Sequence, residues 1–478
     1  MEITWLGVVF IPLGVIAFVV APKSLYGIAV FSIPFTATSL LNSSSGYPLS
    51  PLLFFGTLFM ARQLLSSRPG RVTSASREDR SQLLLMLFLG VVVLSMIMPV
   101  IINGRLVVSS SQLYDLYEEP LRLTVHNVKN WVPVVFGVLF SICLIRQNGT
   151  VVKIQSTIKL YVISGLLVSL WGYFQVLCGP VLSIEYPYYL FNNAKIESMQ
   201  GYTEQLEVGG DLYQRISSVT HEPSIFSKYL LTVLPIVLLS VLLRRPLFSL
   251  VRDRYVLAIL IGVLVLTTST TAYLGIICIF LVTAILLRRL HLIGWRWVPY
   301  AGFVAIVLLT LYFKLAVFQN FVDTLLLMKY ESGSGLERAL SVVNSWEYFK
   351  QYPILGVGWA MVTSHNLLTF LLVSTGVIGF TVFFSLIFYV VRRSLQTLAK
   401  FDPNAGAQDS SVFVLVAGLV VGLVTLVVIG ILTGLEFYLG YFYFILSMLV
   451  ALNIAAKSKR GEPQLDASWK MIRSVPVS

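Results

Sequence analysis

The chain alternates between long uncharged runs and short polar stretches, and the runs share one length scale. Apolar segments lie at 3–21, 24–41, 49–66, 82–102, 131–146, 155–177, 224–243, 255–270, 272–290, 298–318, 366–391, 411–432 and 441–456. A helix needs about 20 residues to cross the roughly 30 Å of bilayer hydrocarbon, so each segment predicts one membrane-spanning helix. The pattern gives 12–14 spans, with 13 favoured. The neighbouring segments 255–270 and 272–290 also read as half-helices around a break. The first segment lacks the basic flank and small-residue cleavage site of a signal peptide and is expected to remain as a helix. The expected fold class is an all-α polytopic membrane protein.

Composition agrees, with 57% hydrophobic and 12% charged residues. A soluble domain carries about 25% charged residues, so a soluble multidomain enzyme is excluded. The net charge of +12, from 34 Lys+Arg against 22 Asp+Glu, takes a topological meaning rather than a nucleic-acid one. Basic residues collect in alternate connections: Arg68, Arg71, Arg77 and Arg80; Arg244, Arg245, Arg252 and Arg254; Arg288, Arg289 and Arg296; Arg392, Arg393 and Lys400; and the tail from Lys457. By the positive-inside rule that side is cytoplasmic, which places the N-terminus outside and the C-terminus inside. Cys143, Cys178 and Cys278 have neither disulfide nor metal-ligand spacing and are expected to be packing residues; no metal site is expected.

This divides the chain into N-terminal membrane helices over 1–177 with an outer loop at 103–130, an outer loop at 178–223, and central helices over 224–318. A second long outer loop with an amphipathic helix follows at 319–365, then C-terminal helices over 366–456 and a cytoplasmic tail over 457–478. The cytoplasmic connections hold no phosphate-binding loop, so chemistry belongs to the outer face. A synthase with a cytoplasmic nucleotide-sugar domain is excluded.

The 178–223 loop is rich in tyrosine and side-chain amides, including Tyr213, a composition that suits a glycan or, equally, an interfacial aromatic belt. At its end Arg215, His221, Glu222 and Lys228 crowd the start of an apolar helix, with Pro223 at the first helical position. Ionisable groups at a membrane boundary must pair or bind something, so either an Arg–Glu helix cap or a binding cluster is expected. In the 319–365 loop, Gly333-Ser334-Gly335 ends one element and Leu336 to Lys350 forms an amphipathic helix. Leu336, Leu340, Val343 and Phe349 lie on or near its apolar stripe, and Arg338, Ser341 and Ser345 lie off it. By itself Arg338 reads as a solvated residue. Ser364, His365 and Asn366 precede the next span, and an unperturbed imidazole there could act as a general base.

The stretch YPILGVGWAMVTSHNLLTFLLVSTGVIGF resembles the signature of the O-antigen ligase/polymerase superfamily: a P-x-x-G-x-G turn, His-Asn, an apolar helix and a Thr/Glu-Gly-x-x-Gly ending. RISSVTHEPSIFSKYL is similar to the segment opening the central helix of those enzymes, and Arg338 with Trp346 matches an arginine upstream of the His-Asn pair. The similarity covers about 210–390; at Thr270 and Thr271, where the family often has Ser-Arg, the arginine is missing. The resemblance implies a metal-independent, cofactor-free, inverting glycosyltransferase of the membrane-embedded C-type architecture, in the bacterial inner membrane with its active site facing the periplasm. Its donor would be an undecaprenyl-pyrophosphate-linked glycan. Arg215 and Arg338 would hold the pyrophosphate by charge-assisted bonds. His365 would be the base with Glu222 as the local alternative, and His221, Lys228, Asn366 and Tyr213 would contact substrate. The Glu-Pro-Ser after His221 resembles the polymerases more than the ligases, and a chain-length-regulating co-polymerase is a further partner class. A transporter is the distant alternative, disfavoured because few charges interrupt the spans and no internal repeat is visible.

Overall fold

The computed structural model describes residues 2–43, 48–66, 80–112, 115–178, 181–195, 203–208, 211–292, 323, 333–401 and 407–458. The described residues are mostly helical, and the chain is an all-α polytopic membrane protein. Three small two-stranded antiparallel ribbons occur among the described residues: β1 (Glu2–Ile3) with β2 (Leu41–Asn42), β3 (Val107–Gln112) with β4 (Asp115–Pro120), and β5 (Gln205–Val208) with β6 (Asp211–Gln214). The N-terminal helices are α1 (Trp5–Val20), α2 (Pro22–Phe31), α3 (Pro51–Ser66), α4 (Arg80–Ser95), a short α5 (Met98–Ile102), α6 (Val125–Gln147) and α7 (Val151–Cys178). After a single-turn α8 (Tyr188–Phe191) come α9 (Pro223–Leu242), α10 (Leu250–Leu266) and α11 (Thr270–Arg289). The last four are α12 (Gly333–Gln351), α13 (Leu367–Leu398), α14 (Ala407–Thr433) and α15 (Gly440–Ser458).

Among the described residues, eight helical stretches are long and apolar enough to cross a membrane. The expected spans 3–21 and 49–66 form helices of 16 residues each, and 298–318 lies outside the described residues. The half-helix reading of 255–270 and 272–290 does not hold. These are two helices of 17 and 20 residues, joined by a turn in which Thr268 adopts a φ of 47°.

The expected span 24–41 differs more. Helix α2 stops after 10 residues at Phe31, three residues before Pro34, and the chain continues as buried irregular backbone. Hydropathy does not register this, because the segment is uncharged and mostly apolar throughout. Its backbone polar groups need partners where water is scarce, and neighbouring loops supply them. Ala37 N–H donates to Val219 O at 3.0 Å, Ala194 N–H to Ala37 O at 3.1 Å, and Ser39 N–H to Asn193 Oδ1 at 2.7 Å.

Helix α9 is the centre of the molecule. Apart from Ser224 at its start, its residues from Pro223 to Ser240 are buried, as befits a helix that is apolar all round. It lies against α10, α11 and α14. At its far end the buried Asp253 carboxylate accepts from Leu247 N–H at 2.6 Å, Phe248 N–H at 3.1 Å and Ser240 Oγ at 2.8 Å, clamping the α9–α10 turn.

The second organising feature is a break inside α13. Gly376 has φ 65° and ψ −166°, a conformation foreign to an L side chain. The hydrogen bond that Val377 N–H would make to Val373 O is replaced by two others. Val377 N–H donates to Pro353 O at 2.9 Å, and Val357 N–H donates to Val373 O at 2.7 Å. The Pro353–Gly358 turn is thereby stitched into the helix. A Cβ on Gly376 would meet Ile354 O at 2.1 Å, and one on Gly356 would meet Val373 O at 2.3 Å. One glycine of each sequence motif, Gly356 and Gly376, therefore serves backbone-to-backbone approach. Gly376→Ala should cost at least about 1–3 kcal/mol from its dihedral angles alone, with the clash added. It should lower the thermal midpoint in detergent, whereas Gly90→Ala, in open space, should leave it unchanged.

Candidate active site

The start of α9 carries the charged cluster. Glu222 is its N-cap and Pro223 its first residue, as expected, although Glu222 makes no side-chain cap bond. Instead Glu222 Oε2 accepts from Ser224 Oγ at 2.7 Å. The irregular segment leading into the helix is fixed from α7, where Gln175 Oε1 accepts from Ser217 N–H at 3.3 Å and Ser218 N–H at 2.8 Å. That segment carries Arg215. The guanidinium is paired with Glu204, not with Glu222, at 2.7 Å, and its side chain is only 19% exposed. Its buried Nε has no partner. Burial pulls the Arg215 pKa down, Glu204 and Glu222 oppose that, and the Arg338 charge adds to it.

Arg338 reaches the same place from α12. Its helix differs from expectation: Gly333-Ser334-Gly335 open it rather than end a preceding element. Its packing is also inverted. Ser341, Ser345 and Tyr348 are buried, whereas Leu336, Val343 and Trp346 are exposed. Small serine side chains let the helix approach α13 closely, and the apolar stripe is left outside. Arg338 is accordingly half-buried beside the serine face rather than solvated. Ser341 Oγ donates to Arg338 O at 2.7 Å and accepts from His365 N–H at 3.3 Å. One serine thus links the arginine helix to the histidine.

His365 stands before α13, half-buried. Burial, the Arg338 charge and the Lys228 charge push its pKa down to about 4, against the opposing Glu436 carboxylate. It is therefore an uncharged imidazole at neutral pH. His221 is buried, and burial alone takes it down to about 4. Asn366 caps α13, its Oδ1 accepting from Leu368 N–H at 2.8 Å and Thr369 N–H at 3.3 Å, so this oxygen is committed to the helix. Tyr213 lies in β6, and its side chain is outside the described residues.

Lys228 is fully buried and ion-paired with Glu436. It also donates to Gly434 O at 2.8 Å and Thr433 O at 3.4 Å, carbonyls where α14 ends. Glu436 Oε2 accepts from Tyr441 at 3.2 Å. Gly434, at φ +84°, packs against the His365 backbone, where a Cβ would lie 3.5 Å from its Cα. Glu436, Glu204 and Tyr273, the last within electrostatic range of Arg215, were not singled out from the sequence. Glu436 had one legible signal, being the sole acid between two apolar spans.

The arrangement brings together two arginines from separate segments, an uncharged histidine and a carboxylate at one end of the central helix. It can hold a dianionic group and accept a proton. Among the described residues no cluster of three or more His, Cys, Asp or Glu is placed to hold a metal ion.

Removing one partner of the Lys228–Glu436 pair leaves a buried charge alone, typically costing about 3–5 kcal/mol. Lys228→Met and Glu436→Gln should each lower the thermal midpoint, and the double variant should recover part of the loss.

Residues 255–384 match the family model described as O-antigen ligase. The matched region contains Arg338, His365 and Asn366, whereas Arg215, His221, Glu222 and Lys228 precede it. No curated protein matches the chain.

Proposed function

We propose that this protein, whose residues 255–384 match the O-antigen ligase family model, polymerises lipid-linked oligosaccharide repeat units at the outer face of a bacterial inner membrane. The observation that carries the reading is the meeting of Arg215, Arg338 and the uncharged His365 at the start of α9. The donor is a glycan on undecaprenyl pyrophosphate, and the acceptor is a hydroxyl of the next lipid-linked unit. The two guanidiniums bind the pyrophosphate and stabilise the charge that grows on it as the glycosidic C–O bond breaks. The acceptor oxygen attacks the anomeric carbon from the opposite face, with inversion. Its proton passes to His365, whose lowered pKa keeps a lone pair available at neutral pH.

Sidedness supports this reading. The cluster lies at the end of the bundle opposite the basic connections, so the positive-inside rule puts it outside, with the N-terminus outside and the C-terminus inside. The second reading is ligation of the finished glycan to lipid A-core, favoured by the description of the matching family. Both reactions use the same donor and differ only in the acceptor.

Purified protein in lipid, supplied only with undecaprenyl-pyrophosphate repeat units, should give a ladder of lengthening lipid-linked glycans on a gel. Transfer that occurs only when lipid A-core is added would make the protein a ligase. Arg215→Ala and Arg338→Ala should each lower transfer at least about 100-fold while the protein still inserts in membranes. Wild-type rates in either variant would remove that arginine from the mechanism.

The pH profile tests the base. A base that must be unprotonated fails below its own pKa, so activity should hold down to about pH 5 and fall near the His365 value of about 4. An imidazole with its ordinary pKa of about 6.5 would fail much earlier. His365→Ala should cost about 100-fold or more. If it does not, and Glu222→Gln does, the role passes to Glu222.

A further inference from the structure

A groove of about 740 Å³ runs between α1, α2, α3 and α7, on the side of the molecule where α2 breaks off. Its volume is within the range of small-molecule and cofactor sites. The walls are aromatic and aliphatic, with Phe10, Phe31, Phe55, Leu167 and Trp171 prominent, and Phe10 and Leu167 remain exposed. Three hydroxyl groups also line it, and each is turned back to the backbone. Ser24 Oγ donates to Ala21 O at 2.7 Å, Ser32 Oγ to Ile28 O at 2.7 Å, and Thr38 Oγ1 to Phe191 O at 2.6 Å. With its hydroxyls spent internally, the lining suits hydrocarbon and offers little to a sugar.

The outer end of the groove is built by the loop that carries the charged cluster. Phe191 and Val219 line it, and Val219 lies two residues from His221 and four from Arg215, within about 14 Å of chain. A tight network joins the two regions. Trp171 Nε1–H donates to Tyr186 Oη at 2.6 Å, Tyr186 Oη donates to Asn192 Oδ1 at 2.8 Å, and Asn192 Nδ2–H donates to Ser218 O at 2.8 Å. An apolar groove thus ends at the segment that carries Arg215.

We propose that this groove binds the isoprenoid chain of the lipid-pyrophosphate donor, leading from the pyrophosphate at Arg215 down between α1, α2 and α7. The proposal rests on the glycan-transfer reading for the identity of the head group. The early break in α2 then has a use, because the missing turns of helix leave room for the chain.

The test compares an undecaprenyl (C55) donor with a short-chain (C10) donor carrying the same glycan. Leu167→Trp fills the groove from an exposed position. Gly27→Leu fills it from α2, where an added Cβ meets only Leu160 at an ordinary 3.6 Å. Each should raise KM for the long-chain donor about tenfold, as losing even two buried methylenes would, with kcat and the short-chain KM unchanged. An unchanged long-chain KM, or an equal rise for both donors, would overturn the proposal.

A second readout is independent of transfer. Undecaprenyl pyrophosphate with a photoreactive group in mid-chain should label α1, α2 or α7 of the wild type. Unlabelled undecaprenyl pyrophosphate should compete, phosphatidylglycerol should not, and Leu167→Trp should lose the label. Labelling without transfer keeps the groove and sinks the transfer reading. Transfer without labelling does the reverse. Equal competition by phosphatidylglycerol would make the groove an ordinary crevice for bilayer lipid and end the proposal.

Discussion

A backbone buried in hydrocarbon cannot leave its N–H and C=O groups unpaired, and the fold is organised around the two places where it breaks a helix and must repair the damage. In α13 the break at Gly376 is closed by the Pro353–Gly358 turn, whose carbonyls and amides take the place of the lost helical bonds. That repair fixes the path of the chain between α12 and α13, the segment on which His365 stands. In α2 the break after Phe31 is closed by bonds to the 191–194 and 219 segments. The second repair ties the N-terminal helices to the segment that carries Arg215.

The charges at the site follow the same logic of compensation. Lys228 sits within the buried helix α9, where an unpaired ammonium would be very costly. Glu436 neutralises it, and the ends of α14 supply further acceptors. The arrangement draws the loop between α14 and α15 against His365, so a pair that serves stability also positions the imidazole. Arg215 is likewise held by Glu204 in the free protein. The guanidinium is thereby oriented by a carboxylate, while its buried Nε has no hydrogen-bond partner.

Helix α12 shows how context reverses a local pattern. Its sequence is amphipathic, and in water the Leu336 and Val343 stripe would be the buried face. Here Ser341 and Ser345 are buried and the stripe is exposed, because close packing at the edge of a membrane protein rewards small side chains more than apolar ones. Arg338 consequently changes from a solvated residue to one whose charge is felt at both Arg215 and His365.

The approximate position of most of the described helices and the all-α class were legible in the sequence. Apolar run length and the placement of rare charges are local properties, and bilayer thickness converts the first directly into helices. The family motif was legible too, and its first glycines read as a turn, but that Gly356 and Gly376 let two backbones touch was not. The end of α2 at Phe31, the pairing of Lys228 with Glu436 and of Arg215 with Glu204, and the inward face of α12 could come only from the tertiary structure. Each depends on a partner remote in sequence or on a neighbouring helix, as with the 208 positions between Lys228 and Glu436. Hydropathy and periodicity register what a segment is made of, and carry no information about which other segment completes its hydrogen bonds or balances its charge.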